Sequence, residues 1–170
     1  MRVLHYLFSV IEHHATYLHY DFRVLFAVSR ALSFAMSLGP SMVPNLPRLA
    51  TEMHIHSKAS MFSEKTIPEG RYGAGRRHVW DKGVLTTDGD ILISLEEGWV
   101  NLFLRGNILK GNFEFKIGSD GHREWTLTKF DDEYADPKFV LVPALQISML
   151  SANEERPSKP RSALVQPTLF

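Results

Sequence analysis

The chain has 170 residues, of which 44% are hydrophobic and 22% charged, with 19 basic residues against 19 acidic ones. This is the make-up of one globular domain. The balanced charge gives no global attraction for a polyanion, so any nucleic-acid contact has to come from a local basic patch. Cysteine is absent, which excludes disulfides, thiolate metal sites and a cysteine nucleophile, and fits an intracellular protein.

The N-terminal run, residues 1–11, is apolar but interrupted by His5. It lacks a small-residue cleavage site and is too short to cross a bilayer, so no membrane association is expected and a weak signal peptide is the lesser alternative. Residues 8–11 read as a strand leading into His13-His14-Ala15-Thr16-Tyr17-Leu18-His19-Tyr20-Asp21-Phe22-Arg23. In an extended strand, residues at i, i+2 and i+4 share a face. His19, Asp21 and Arg23 then project together, while Leu18, Tyr20, Phe22 and Val24 pack on the other side. Two neutral imidazoles and a carboxylate can hold a divalent metal, and a guanidinium beside them can clamp a phosphate. A turn at residues 15–17 would bring His13 onto the same centre as His19. The competing reading is a half-buried strand whose polar face meets water.

Residues 25–38 allow either a helix or a strand pair turning near Ser29-Arg30. Gly39-Pro40 ends that element, and Pro44 and Pro47 make an irregular loop. Residues 48–57 alternate as a strand, with Glu52, His54 and His56 on one parity. In residues 66–81, Pro68, Gly70, Gly73 and Gly75 demand tight turns, but the spacing is neither a Walker loop nor a dinucleotide fingerprint. A loop held by packing of Tyr72 and Trp80 is expected there. Its Arg71, Arg76 and Arg77 form the most basic local cluster, suited to a nucleic-acid backbone. Residues 83–85, 90–95, 99–105, 111–117 and 124–130 read as short strands. Asp88-Gly89, Gly106-Asn107, Lys110-Gly111 and Asp120-Gly121 punctuate them as hairpin turns do. The expected fold is mainly β: a single antiparallel β-barrel-like domain over residues 1–150. Residues 151–170 are polar and proline-rich and are expected to be a disordered or partner-binding tail.

Together these motifs resemble the 3′-phosphoesterase domain of bacterial and archaeal DNA ligase D. The likeness rests on His13-x-Ala15-x-x-Leu18-His19-Tyr20-Asp21-Phe22-Arg23, then Gly39-Pro40-Ser41 and Arg48-Leu49-Ala50. It continues through Ile67-Pro68-Glu69-Gly70-x-Tyr72-Gly73-Ala74-Gly75 with Val79-Trp80-Asp81-x-Gly83, and ends on Trp125-x-Leu127-x-Lys129-x-x-Asp132 with Tyr134-Ala135. It covers residues 8–135 in order. The resemblance implies a compact β-barrel that removes a 3′-terminal ribonucleoside, and then the 3′-phosphate, from DNA or RNA-tipped primer ends with manganese or a similar ion. It also implies DNA end repair as the setting, with a ligase or polymerase acting in trans. Carried over position by position, His13, His19 and Asp21 match the metal ligands. Arg23 and His56 match catalytic groups on the scissile phosphate, and Arg48 matches an auxiliary phosphate-binding residue. Imidazole and carboxylate ligands suit manganese better than a thiolate-seeking metal.

The chain departs from that pattern in its phosphate shell. Ile11 stands where the family has glutamine, Leu38 where it has lysine, His54 where it has glutamate and Ser60 where it has tyrosine. An Arg-Asp pair that precedes the family's first strand has no counterpart here. A catalytically impaired member that binds DNA ends or a repair partner is therefore the second reading. A chain lacking part of a family member is the third.

Overall fold

The structure, a computed structural model, describes residues 2–119 and 123–144. Nine strands lie among these residues: β1 (Val3–His14), β2 (Leu18–Leu25), β3 (Arg30–Met36), β4 (Arg48–Glu52), β5 (His56–Ser57), β6 (Arg76–Asp88), β7 (Trp99–Gly106), β8 (Lys110–Ile117) and β9 (Glu124–Lys129). They neighbour one another in the order β2-β1-β6-β7-β8-β9-β4-β3, and β3 pairs back onto β2, so eight strands close an antiparallel barrel. β5 continues the place of β4 beside β3. It pairs with Arg30 and Ala31, whereas β4 pairs with Phe34 and Ala35. Closure removes the exposed sheet edges that an open sheet of this length would present.

The interior is aromatic. Phe34 meets Phe115 edge to face at 4.8 Å, and Phe115 stacks on Trp125 at 4.9 Å, geometries that add stabilisation beyond area burial. Residues 25–38 resolve as a strand pair. Leu32, Phe34 and Met36 alternate into the core from β3, a period of two that no helix could satisfy against β2. Residues 90–95 do not form the expected strand; the chain makes a short helix, α1 (Ile91–Glu96). Asp90 caps it by accepting from the Leu92 amide at 2.8 Å. Ile91 and Leu95, four apart, both reach the core. Cap and period thus outweigh the β-branched composition. The strand expected over residues 48–57 is broken between β4 and β5. Asp120-Gly121 and the expected tail lie outside the described residues. No helix among the described residues is long and apolar enough to cross a membrane.

Two motif residues of the resemblance turn out to hold the fold. The buried Asp81 carboxylate accepts from the amides of Asn107, Ile108 and Leu109 and so fixes the β7–β8 turn. Lys129, fully buried, donates to Asp132 and to the carbonyls of Asn112 and Phe130. What positions the site is the outer face of β1, β2 and β3. A 3-10 turn (Lys58–Phe62) packs against that face and buries Met61. A polar strand face that would otherwise meet water is thereby enclosed.

Candidate metal centre

The β1–β2 hairpin builds the site. Its register sets His13 opposite His19 and Ile11 opposite Asp21, so the turn at residues 15–17 brings the two imidazoles side by side, ring centroids 4.8 Å apart. Asp21 and Arg23 share their face with His19, while Tyr20, Phe22 and Val24 fill the core. Leu18, expected to pack with them, is exposed at the start of the strand. Asp21 Oδ1 lies 3.4 Å from His19 Nε2, and Oδ2 lies 4.0 Å from His13 Nδ1 and 3.2 Å from the Arg23 guanidinium. One donor atom from each of His13, His19 and Asp21 falls within 4.8 Å of the others.

These residues fit a divalent cation. His13 Nε2 donates to the Ala74 carbonyl at 3.0 Å, leaving Nδ1 with its lone pair toward Asp21. His19 Nδ1 donates to the Tyr17 carbonyl at 3.2 Å and turns Nε2 toward Asp21 Oδ1, a contact that a shared ion would replace. A second ring nitrogen engaged by a backbone carbonyl is the usual way a ligating histidine is oriented. Three ligands also leave positions open for water or substrate. Burial, with the charges of His19 and Arg77, holds His13 below the ordinary imidazole range, in the neutral form that ligation needs. His19 is raised, chiefly by its hydrogen bond to Asp21. Burial works to raise Asp21, but His19 and Arg23 outweigh it and hold the carboxyl below its usual value.

The second signature supports the first through Gly75. A Cβ at this position would come within 2.2 Å of the His14 carbonyl oxygen, and its φ is +122°, so only glycine lets the loop approach closely enough for Ala74 to reach His13. Gly75→Ala is expected to lower metal affinity roughly 10- to 100-fold, the scale of lost outer-shell contacts. Calorimetric metal titration measures it, and unchanged affinity would remove Ala74 from the site.

A cleft of about 660 Å³ opens over the cluster, lined by His13, His19, Asp21, Arg23 and His56 together with Arg71, Tyr72 and Arg77. Arg23, 1% exposed, donates to Asp21, to the Ser60 carbonyl at 2.8 Å and to Ser33 Oγ at 3.3 Å. His56 stacks on His54 at 4.4 Å, and His54 meets the Tyr72 hydroxyl. Tyr72 is 75% exposed, so it does not pack the loop as expected, and Trp80 is buried in the barrel core against Tyr20 instead. Arg48 is not among the lining residues. It sits on β4 opposite Leu127, its Nε buried without a hydrogen-bond partner among the described residues. Arg71, Tyr72 and Arg77 belong to the site although spacing along the sequence did not assign them to it. Their signal was the basic cluster at residues 71–77, but only the β1–β6 pairing carries it to His13.

Burial, then the charges of Arg23 and His54, bring His56 down to about 4. In metal-free protein this histidine stays neutral while its unfolded counterpart, at 6.5, takes up a proton. Folding stability is therefore lost as pH falls from 6.5 towards 4. With the partial solvent contact of His56 discounted, the loss is roughly 1–2 kcal/mol. His19, raised, works in the opposite direction, its contribution being full below 6.5 and lost as pH rises through its folded value. Urea unfolding in chelator across this range should show a smaller acid loss in His56→Gln than in the unmutated chain. Identical slopes would mean that His56 is not held neutral.

Residues 11–116 match the family described as the DNA Ligase D 3′-phosphoesterase domain. The chain is 35% identical over 127 residues to the multifunctional non-homologous end joining protein LigD of Pseudomonas aeruginosa, covering 74% of this chain and 15% of that protein. It is 30% identical over 102 residues to the multifunctional non-homologous end joining DNA repair protein LigD of Mycobacterium tuberculosis, covering 55% and 13%. To the LigD of Mycolicibacterium smegmatis it is 37% identical over 84 residues, covering 48% and 10%. The matches thus take in 10% to 15% of the length of these relatives.

Proposed function

The chain belongs to the DNA ligase D 3′-phosphoesterase domain family, and from that premise we propose that it hydrolyses phosphoesters at nucleic-acid 3′ ends. Its substrates would be DNA or RNA-tipped primer ends, from which it removes a 3′-ribonucleoside and a 3′-phosphate during intracellular end repair. A ligase or polymerase would act on the processed end in trans. The observation that carries this reading is the His13, His19 and Asp21 set at the floor of a cleft, with the Arg23 guanidinium buried against its carboxylate.

His13, His19 and Asp21 would hold the ion, and mixed nitrogen and oxygen ligands favour manganese or a similar metal. When bound, a divalent ion supplies Lewis-acid charge at the phosphoryl group and acidity to water. Arg23 has five N–H donors, of which three are engaged. The remainder can take phosphoryl oxygens and neutralise charge that develops there. His56, neutral at pH 7 in the free site, would bind the phosphate as an N–H donor; the charge of the incoming phosphate would raise its basicity so that it takes up a proton from solvent, and that proton would pass to the leaving oxygen. Arg48 would act on the same phosphate only through an intermediary, since it is not among the cleft residues.

The second reading, a DNA-end-binding module without turnover, is favoured by two positions. The Ser60 hydroxyl is engaged by the Ser57 carbonyl at 2.7 Å, and Leu38 points to solvent at 71% exposure, so neither offers a phosphate contact. Purified protein, manganese and an oligonucleotide with a 3′-phosphate separate the two. Phosphate release is expected under the first reading, and binding without release would establish the second.

A further inference from the structure

Arg77 has no role in the reading above, yet the sheet register places it beside the metal cluster. On β6 it pairs with His13, which pairs in turn with His19 on β2. Directly opposed residues of antiparallel strands project to one face, so Arg77, His13 and His19 form one row across three strands. The guanidinium covers Gly73 so closely that a Cβ there would come within 2.7 Å of Nη2. It lines the cleft.

This side chain is uncompensated. Nε is buried without a hydrogen-bond partner, and no carboxylate pairs with Arg77 among the described residues. The carboxylates lining the cleft are Asp21, already engaged by His19 and Arg23, and Glu69, exposed at the rim. A buried donor left unmade is a cost in the folded state, and a planar fork with several free N–H groups is matched by a ligand with adjacent anionic oxygens. Behind burial, the charge of Arg77 contributes to the lowered pKa values of His13, Arg23 and His56, which sets it within electrostatic reach of all three.

We propose that Arg77 binds the terminal phosphate of a bound strand, a second guanidinium on the group that Arg23 holds, and so makes the cleft select 3′-phosphate ends. The inference rests on the phosphate reading of the cleft given above. Its test is fluorescence anisotropy with the full chain loaded with manganese, titrated onto one oligonucleotide ending either in a non-hydrolysable 3′-phosphonate, which stands in for the 3′-phosphate, or in a 3′-hydroxyl. The unmutated chain should prefer the 3′-phosphate. Arg77→Met should lose roughly 10- to 100-fold in affinity for that end while its affinity for the 3′-hydroxyl end and its metal content stay the same. Arg77→Lys, which keeps charge without the fork, should fall between them. Equal losses for both ends, no loss for either, or a loss of metal from Arg77→Met would each overturn the assignment. An unmutated chain that prefers neither end overturns it together with the phosphate reading. A chain that prefers the 3′-phosphate but releases none leaves Arg77 in place and overturns only hydrolysis.

Discussion

Asp21→Asn is expected to abolish phosphate release, by roughly 10³-fold or more, and to leave the purified protein short of metal. The carboxylate is the one anionic member of the cluster, and an amide keeps its shape while removing the charge that offsets a divalent ion. The same substitution should destabilise the chain even without metal. Asp21 Oδ2 is the acceptor for a guanidinium that is 1% exposed, and breaking a buried pair from one side leaves a charge without compensation, a loss of about 3 kcal/mol or more. His19→Ala separates the two effects. It removes a ligand but leaves Asp21 on Arg23, so it should lose metal and activity while the chelator-treated protein, which loses only the His19–Asp21 contact, unfolds at a urea concentration between those of the unmutated chain and Asp21→Asn. Metal content by atomic emission and urea midpoints in chelator measure both. Full metal content in Asp21→Asn would take Asp21 out of the ligand set, and an unmoved midpoint would show that Arg23 does not depend on it.

How much of this was legible before the fold was known follows from sequence distance. His19, Asp21 and Arg23 are two residues apart, so strand geometry alone puts them on one face, and His13 needs only one turn to join them. The barrel was legible from short strands and Gly-containing turns. The exception was residues 90–95, where Ile91-Leu92-Ile93 looks like strand composition and the Asp90 cap makes it a helix. Arg77 was visible only as part of a charge cluster, because its neighbour His13 is far away along the chain and the pairing of β1 with β6 shifts register between Val10 and Ile11. Similarity of motifs was informative about family and less so about role. Asp81 and Lys129 belong to the signatures of the resemblance, yet their partners are backbone groups of turns, with Asp132 added for Lys129, and the fold is what they hold. Arg48 shows the converse, a position matched to the phosphate shell whose side chain does not line the cleft.

Arg23 is where fold and site cannot be separated, and two substitutions should pull its roles apart. Nη1 donates to the Ser60 carbonyl in the 3-10 turn, Nε to Ser33 on β3 and Nη2 to Asp21 on β2, so one guanidinium ties the covering turn to the barrel wall and holds a metal ligand at the same time. Arg23→Met removes all three bonds and leaves both the carboxylate and the Ser60 carbonyl without their donor. A stability loss of roughly 3–5 kcal/mol is expected, and the covering turn should become sensitive to proteolysis near Ser60. Without Arg23, the Asp21 carboxyl should also titrate at higher pH, since Arg23 is among the groups that hold it below its usual value. The stability that Asp21 contributes is present above its unfolded value and lost as pH falls through the folded one, so in the variant that loss should be smaller and complete at higher pH. Arg23→Lys keeps a cation near Asp21 but cannot make the three bonds and still present free N–H groups to a phosphate. It should retain most of the metal and much of the stability while kcat falls about 10²-fold, the scale of a lost charge-stabilising donor. If Arg23→Lys turned over substrate as the unmutated chain does, the guanidinium would be a structural tie alone and the phosphate would be held by other groups of the cleft.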